Sequence, residues 1–154
     1  MEFNSINLFN GLQLIVILVP NLLYAIKQQK DDMQKNTRKT PGFIVIGEEI
    51  GRYCCMFFLI FPVLVWKFSF AGRIEQILYY AVCGMLLAFY LLFWILYFHN
   101  QNIWKGFALA FIPSVLFLFV GIILNHVLLT VSAIVFGIFH IWITLFTHVS
   151  RETK

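Results

Sequence analysis

One run of this chain, Gly47-Glu48-Glu49-Ile50-Gly51-Arg52-Tyr53, sets two carboxylates and a guanidinium inside an otherwise apolar stretch. Glu48 and Arg52 stand four apart, so on a helix they share a side and can pair. Gly47 and Gly51 form a G-x-x-x-G step beside them, which lets a neighbouring helix approach closely. His140 lies in another apolar stretch and would titrate near neutral pH if Glu48 or Glu49 came near it. A charge at the centre of a bilayer costs roughly 2.5–3.5 kcal/mol on insertion scales, and much less near an interface. Two readings follow for these groups: a site for a ligand, ion or proton, or a structural ion pair whose charged ends reach toward headgroups.

Other polar side chains fall at a similar depth when the apolar stretches are laid side by side: Asn21 and Tyr24, Trp94 and Tyr97, His140 and Thr144. The candidate ligand- or ion-binding residues are therefore Asn21, Tyr24, Glu48, Glu49, Arg52, Tyr97, His140 and Thr144, which together would line a pocket open to the cytoplasm. No catalytic residue stands out, because H-E-x-x-H, C-x-x-C, G-x-S-x-G and P-loop patterns are all missing from the chain. Glu48, Glu49 and His140 have no metal-ligand spacing signature, so neither a metal nor another cofactor is expected. Cys54, Cys55 and Cys83 read as small buried hydrophobes, not a disulfide framework.

The elements that must hold these groups are membrane helices. Hydrophobic residues make up 61% of the 154 and charged residues 12%, about half the charged share of a soluble domain. Mean hydropathy is +0.86. A net charge of +4 is too small for a nucleic-acid surface. Apolar runs at about 8–26, 43–66, 77–98, 106–124 and 127–146 are each long enough to cross the hydrocarbon as a helix. The expected fold is an all-α integral membrane protein: one transmembrane domain over 1–154, a bundle of five transmembrane helices. Pro20, Pro62 and Pro113 should kink the helices that contain them. The first run has no Lys or Arg before it and reads as a retained helix, not a signal peptide.

Loop charge orients the bundle. The polar segment 27–42 holds Lys27, Lys30, Lys35, Arg38 and Lys39, and Lys105, Arg151 and Lys154 fall on the same side. Only Lys67 and Arg73 lie opposite. That bias predicts a cytoplasmic basic loop 27–42, the N-terminus outside and the C-terminus cytoplasmic. The basic loop serves topology, or attracts anionic lipid or an acidic partner.

Each span but the second carries a stripe of polar or small residues at helical spacing. His126, Thr130, Ala133, Gly137, His140, Thr144 and Thr147 form one, and Gln76, Tyr80, Cys83, Leu87, Tyr90, Trp94 and Tyr97 another. Asn10, Gln13, Asn21, Tyr24 and Gln28 share a face of the first span, and Gly106, Ala110, Ser114 and Gly121 mark the fourth. Stripes of this kind are commonly the glue between membrane helices, and Gly47, Gly51, Gly106, Ala110 and Gly137 are the expected close-packing positions. Asn125 and His126 should cap the tight turn between the last two spans.

The expected function is that of a small multi-pass protein of the lipid bilayer, in the cell membrane. It would act non-enzymatically through a membrane-protein partner, as an accessory, assembly or protective subunit. An oligomeric transporter or channel unit built on the polar seam is the alternative, and a membrane-embedded enzyme acting on a lipid is the third reading. A partner protein or a homo-oligomer is implied by the small size.

Overall fold

A computed structural model describes residues 5–32, 42–65 and 68–152, and side-chain surroundings for 5–27, 42–65 and 68–145. The architecture is all-α: α1 (Ser5–Asp32), α2 (Gly42–Ile60), α3 (Arg73–His99), α4 (Ile103–Ile123) and α5 (Val127–Glu152). Most of the basic segment 27–42, along with Gln28 and Thr147 of the stripes, lies outside the described residues or side chains.

Four helical stretches are long and apolar enough to cross a membrane: Ser5–Lys27, Arg73–His99, Ile103–Ile123 and Val127–Leu145. The helix that falls short among the five expected spans is α2. It has 19 residues and carries Glu48, Glu49 and Arg52. It also stops earlier than the apolar pattern suggested, at Ile60 and not near position 66. Pro62 is the reason. It offers no N–H to continue the ladder and disfavours helical backbone at Phe61. Pro62 therefore ends a helix instead of kinking one, while Pro20 and Pro113 do lie within α1 and α4. Beyond it Val63 N–H turns back to the Phe61 carbonyl at 2.9 Å, and Leu64 takes a left-handed φ of 62°.

Helix directions follow from the paired side chains. The start of α1 meets the end of α2, with Asn7 and Asn10 bonded to the Ile60 and Leu59 carbonyls. Along α3, by contrast, α1 runs parallel: Phe9 packs on Tyr79, Asn21 bonds Tyr90 and Tyr24 reaches Tyr97. α5 runs antiparallel to both of its close neighbours, α2 and α4. α4 is the central helix, packing against α3, α5 and α2. Half of its apolar stretch (50%) is buried inside the protein, against 22% for each of the other three candidate spans.

The turn between α4 and α5 is built on Asn125 and His126. Asn125, at φ 52°, donates its N–H to the Ile122 carbonyl, and His126 N–H reaches back to Gly121 at 2.8 Å. This pair of bonds closes a helix through a left-handed residue, a conformation asparagine tolerates well. His126 then starts α5: its Nδ1 accepts the Leu129 N–H at 3.1 Å, capping an otherwise unpaired donor of the first turn. Gly121 permits the tightness, since a Cβ there would lie 2.8 Å from Thr130 N.

Candidate functional site

The α2–α5 contact begins with two glycines. A Cβ on Gly51 would sit 2.9 Å from the Phe136 backbone, and one on Gly47 would sit 2.7 Å from the Phe139 ring. Only hydrogen at these positions lets the helices lie this close. The approach carries Glu48, which is 3% exposed, to His140: Nδ1 stands 3.0 Å from Glu48 Oε1. On α2 itself Arg52 closes from the other side, with Nε 3.0 Å from Oε1 and Nη2 bridging to Oε2. Glu48 is thus held by a guanidinium fork and an imidazole. A carboxylate ionised by that fork only accepts, so the proton of the third bond rests on His140 Nδ1.

The buried carboxylate has half-exposed partners. The Arg52 side chain is 39% exposed and that of His140 29%. The His140 ring stacks on Phe136 with centroids 4.7 Å apart, and Thr144 Oγ1 donates to the His140 carbonyl at 2.9 Å. His140 Nε2 has no hydrogen-bond partner among the described residues, so it is the open end of a carboxylate–imidazole dyad. No group of three or more metal-ligating side chains occurs among the described residues.

Asn21, Tyr24 and Tyr97 belong to a second array, between α1 and α3. Asn21 Nδ2 donates to the Tyr90 hydroxyl at 2.9 Å and to the Ile17 carbonyl at 3.0 Å. That carbonyl is one residue on from Val16, the one Pro20 deprives of its usual partner. Tyr24 and Tyr97 hydroxyls meet at 3.3 Å, with Trp94 packed against both rings. Asn21 and Tyr24 are therefore turned to α3, while Glu48, Arg52 and His140 join α2 to α5. Glu49 does not enter either set. Its side of α2 is exposed.

The same α1 face continues to Asn10 and Gln13, which the stripe included, and brings in Asn7 and, from α3, Tyr79, which the sequence pattern did not single out. Where Pro62 has ended α2, the Leu59 and Ile60 carbonyls lack helical partners. Asn10 Nδ2 donates to the first at 2.7 Å and Asn7 Nδ2 to the second at 2.8 Å. The Tyr79 hydroxyl donates to Asn10 Oδ1, and Gln13 Nε2 approaches that hydroxyl at 3.3 Å. Gln13 Oε1 is buried there without a partner. Tyr79 is fully buried where Tyr80 was the expected stripe position, and Gln76 is exposed. The signals were the three-residue spacing of Asn7, Asn10 and Gln13, and a proline able to orphan carbonyls opposite them. Of the remaining packing positions, Gly106 and Ala110 lie buried on α4, and Gly137 faces Ser114, whose Cβ would be 3.3 Å from an added methyl.

No family model, curated protein or solved structure matches this chain, which leaves its own side chains as the ground for a functional reading.

Proposed function

We propose that the chain is a non-enzymatic multi-pass protein of the cell membrane that acts through a membrane-protein partner, as an accessory, assembly or protective subunit. One observation carries this reading: the polar side chains of its seams are largely directed at one another and at the free end of α2. Asn7, Asn10, Asn21, Tyr24 and Glu48 each make bonds within the bundle. That is the arrangement of a folded packing unit. In this reading α2 crosses with the other four helices, since 19 residues rise about 28 Å, close to the hydrocarbon thickness. The lysine and arginine bias puts the N-terminus outside and the C-terminus in the cytoplasm.

Native mass spectrometry of the protein released from its own membrane in mild detergent tests this. A stoichiometric foreign subunit is the expected result. A homogeneous preparation that by itself moves a solute across a vesicle wall, or turns one over, overturns it.

The half-exposed Arg52 and the open Nε2 of His140 favour one second reading, an oligomeric transporter or channel unit with its ion or proton site at Glu48. In that case Glu48→Gln and His140→Gln abolish flux in proteoliposomes while the bundle stays folded. Normal flux in both ends it.

A further inference from the structure

α2 presents one long face to its surroundings, formed by Phe43, Ile46, Glu49, Ile50, Tyr53 and Phe57, all exposed. Five of the six suit lipid. Glu49 does not. Its neighbour in sequence, Glu48, is level with His140. The apolar residues Phe43, Ile44, Val45 and Ile46 precede Glu49 on α2, and it stands about 9 Å along the helix axis from Phe43. A glutamate stem is too short to bring its charge back to the headgroups as lysine or arginine can.

Nothing described within the chain neutralises Glu49. Arg52 is three residues on, yet its fork is directed at Glu48, and His140 Nδ1 points to the same carboxylate. This stretch of α2 thus carries two carboxylates to one guanidinium. A second copy would bring its own Arg52 to that level, but that guanidinium is directed at its own Glu48. Among the described side chains, Lys27 sits over the Phe98 ring and Lys105 binds the Leu96 and Asn100 carbonyls at the end of α3. Arg73 begins α3 at the opposite end of the bundle.

We infer that the outward face of α2 docks a transmembrane helix of a different protein, one carrying a lysine or arginine that pairs with Glu49 while its apolar residues pack on Ile46, Ile50, Tyr53 and Phe57. The inference rests on the partner-dependent reading above and names where that partner binds. Tyr53, four residues from Glu49 and 66% exposed, adds a hydroxyl to the same side. An intramembrane ion pair between different chains fixes both partner and depth, because neither charge is tolerated as well alone.

The test uses the full-length protein in its native membrane, with the photo-crosslinker benzoylphenylalanine placed at position 53 or 57, or at Ile95 on the exposed face of α3 as the control. Positions 53 and 57 are expected to label one and the same foreign membrane helix, and sequencing of the linked peptide should find a basic residue about one turn from the adduct. Position 95 should not label it. Glu49→Gln should lower the adduct yield about tenfold at limiting expression, and Glu49→Asp should keep most of it. Unchanged melting of the purified Glu49→Gln protein shows that the bundle itself is intact. Adducts to lipid alone, to residues 27–42 of the same chain, to a second copy, or to a helix without a basic residue overturn the inference, as does a yield indifferent to Glu49→Gln. A foreign subunit that co-purifies but is labelled only from position 95 overturns the docking face and leaves the partner reading standing. Absence of any co-purifying subunit removes both.

Discussion

The two polar regions of this bundle solve different problems with different chemistry. Where α1 meets the end of α2, neutral amides and a phenol repair a defect of the backbone: Pro62 frees carbonyls, and Asn7 and Asn10 take them. Between α2 and α5, ionised groups are brought together with no backbone defect to repair. Glu48 is buried while Arg52 and His140 remain open to their surroundings. The neutral region explains itself as structure. The charged region costs desolvation that an apolar pair would avoid, which is why it, and not the amide cluster, is the candidate site.

The contrast is most severely broken by moving α2 away from α5. Gly51→Leu would drive a side chain into the Phe136 backbone, and should cost about 3 kcal/mol, the upper range for overpacking. Thermal or denaturant unfolding in mixed micelles would measure it. The same variant should leave the α1–α3 array bonded, so Tyr24→Phe should cost the same stability in the Gly51→Leu background as it does alone.

Arg52→Met comes next. It leaves Glu48 buried beside His140 alone and should destabilise by about 2 kcal/mol, less than for a fully buried pair because Arg52 is half-exposed. Glu48→Gln combined with Arg52→Met should recover much of that loss, since no uncompensated charge remains. If the double variant is as unstable as Arg52→Met, the cluster is held by packing and not by charge.

Asn10→Leu probes the neutral region. The Leu59 carbonyl and the Tyr79 hydroxyl both lose a partner, and interhelical bonds in membranes are individually small, so about 1–2 kcal/mol is expected. Added salt should leave that loss unchanged, since both partners are neutral.

These regions were not equally visible in the chain. The pairing of Glu48 with Arg52 and the small-residue step at Gly47 and Gly51 could be read from spacing alone, since one helix determines both. That His140 would meet Glu48 was conditional, because spacing on separate helices does not state which faces meet. Asn21 and Tyr24 show the consequence: matched in apparent depth with Glu48, they face α3. The early end of α2 was legible in principle from Pro62, but the apolar run continuing past it outweighed the proline. Tyr79 was passed over for Tyr80 because a one-residue choice on a helix almost wholly apolar is decided by its neighbours. The four qualifying apolar helices needed only hydropathy.

The smallest expected effect is at His126, outside both regions, and it separates a capping histidine from a sensing one. Its Nδ1 accepts the Leu129 N–H while Phe58 and Phe68 pack on the ring, and burial, against weaker opposing pulls from backbone hydrogen bonds at Phe61 and at His126 itself, holds its pKa below the ordinary histidine value. A depressed histidine is neutral in the folded protein while the unfolded chain takes up a proton first. Stability is therefore full above the unfolded value, near 6.5, and declines as pH falls below it toward the folded value. Protonation would also remove the acceptor that caps α5. His126→Asn keeps a capping oxygen and should flatten this decline between pH 7 and 5, whereas His126→Ala should lose about 1 kcal/mol at both. If the decline persists in His126→Asn, His126 is a cap alone and the response to acid lies elsewhere in the chain.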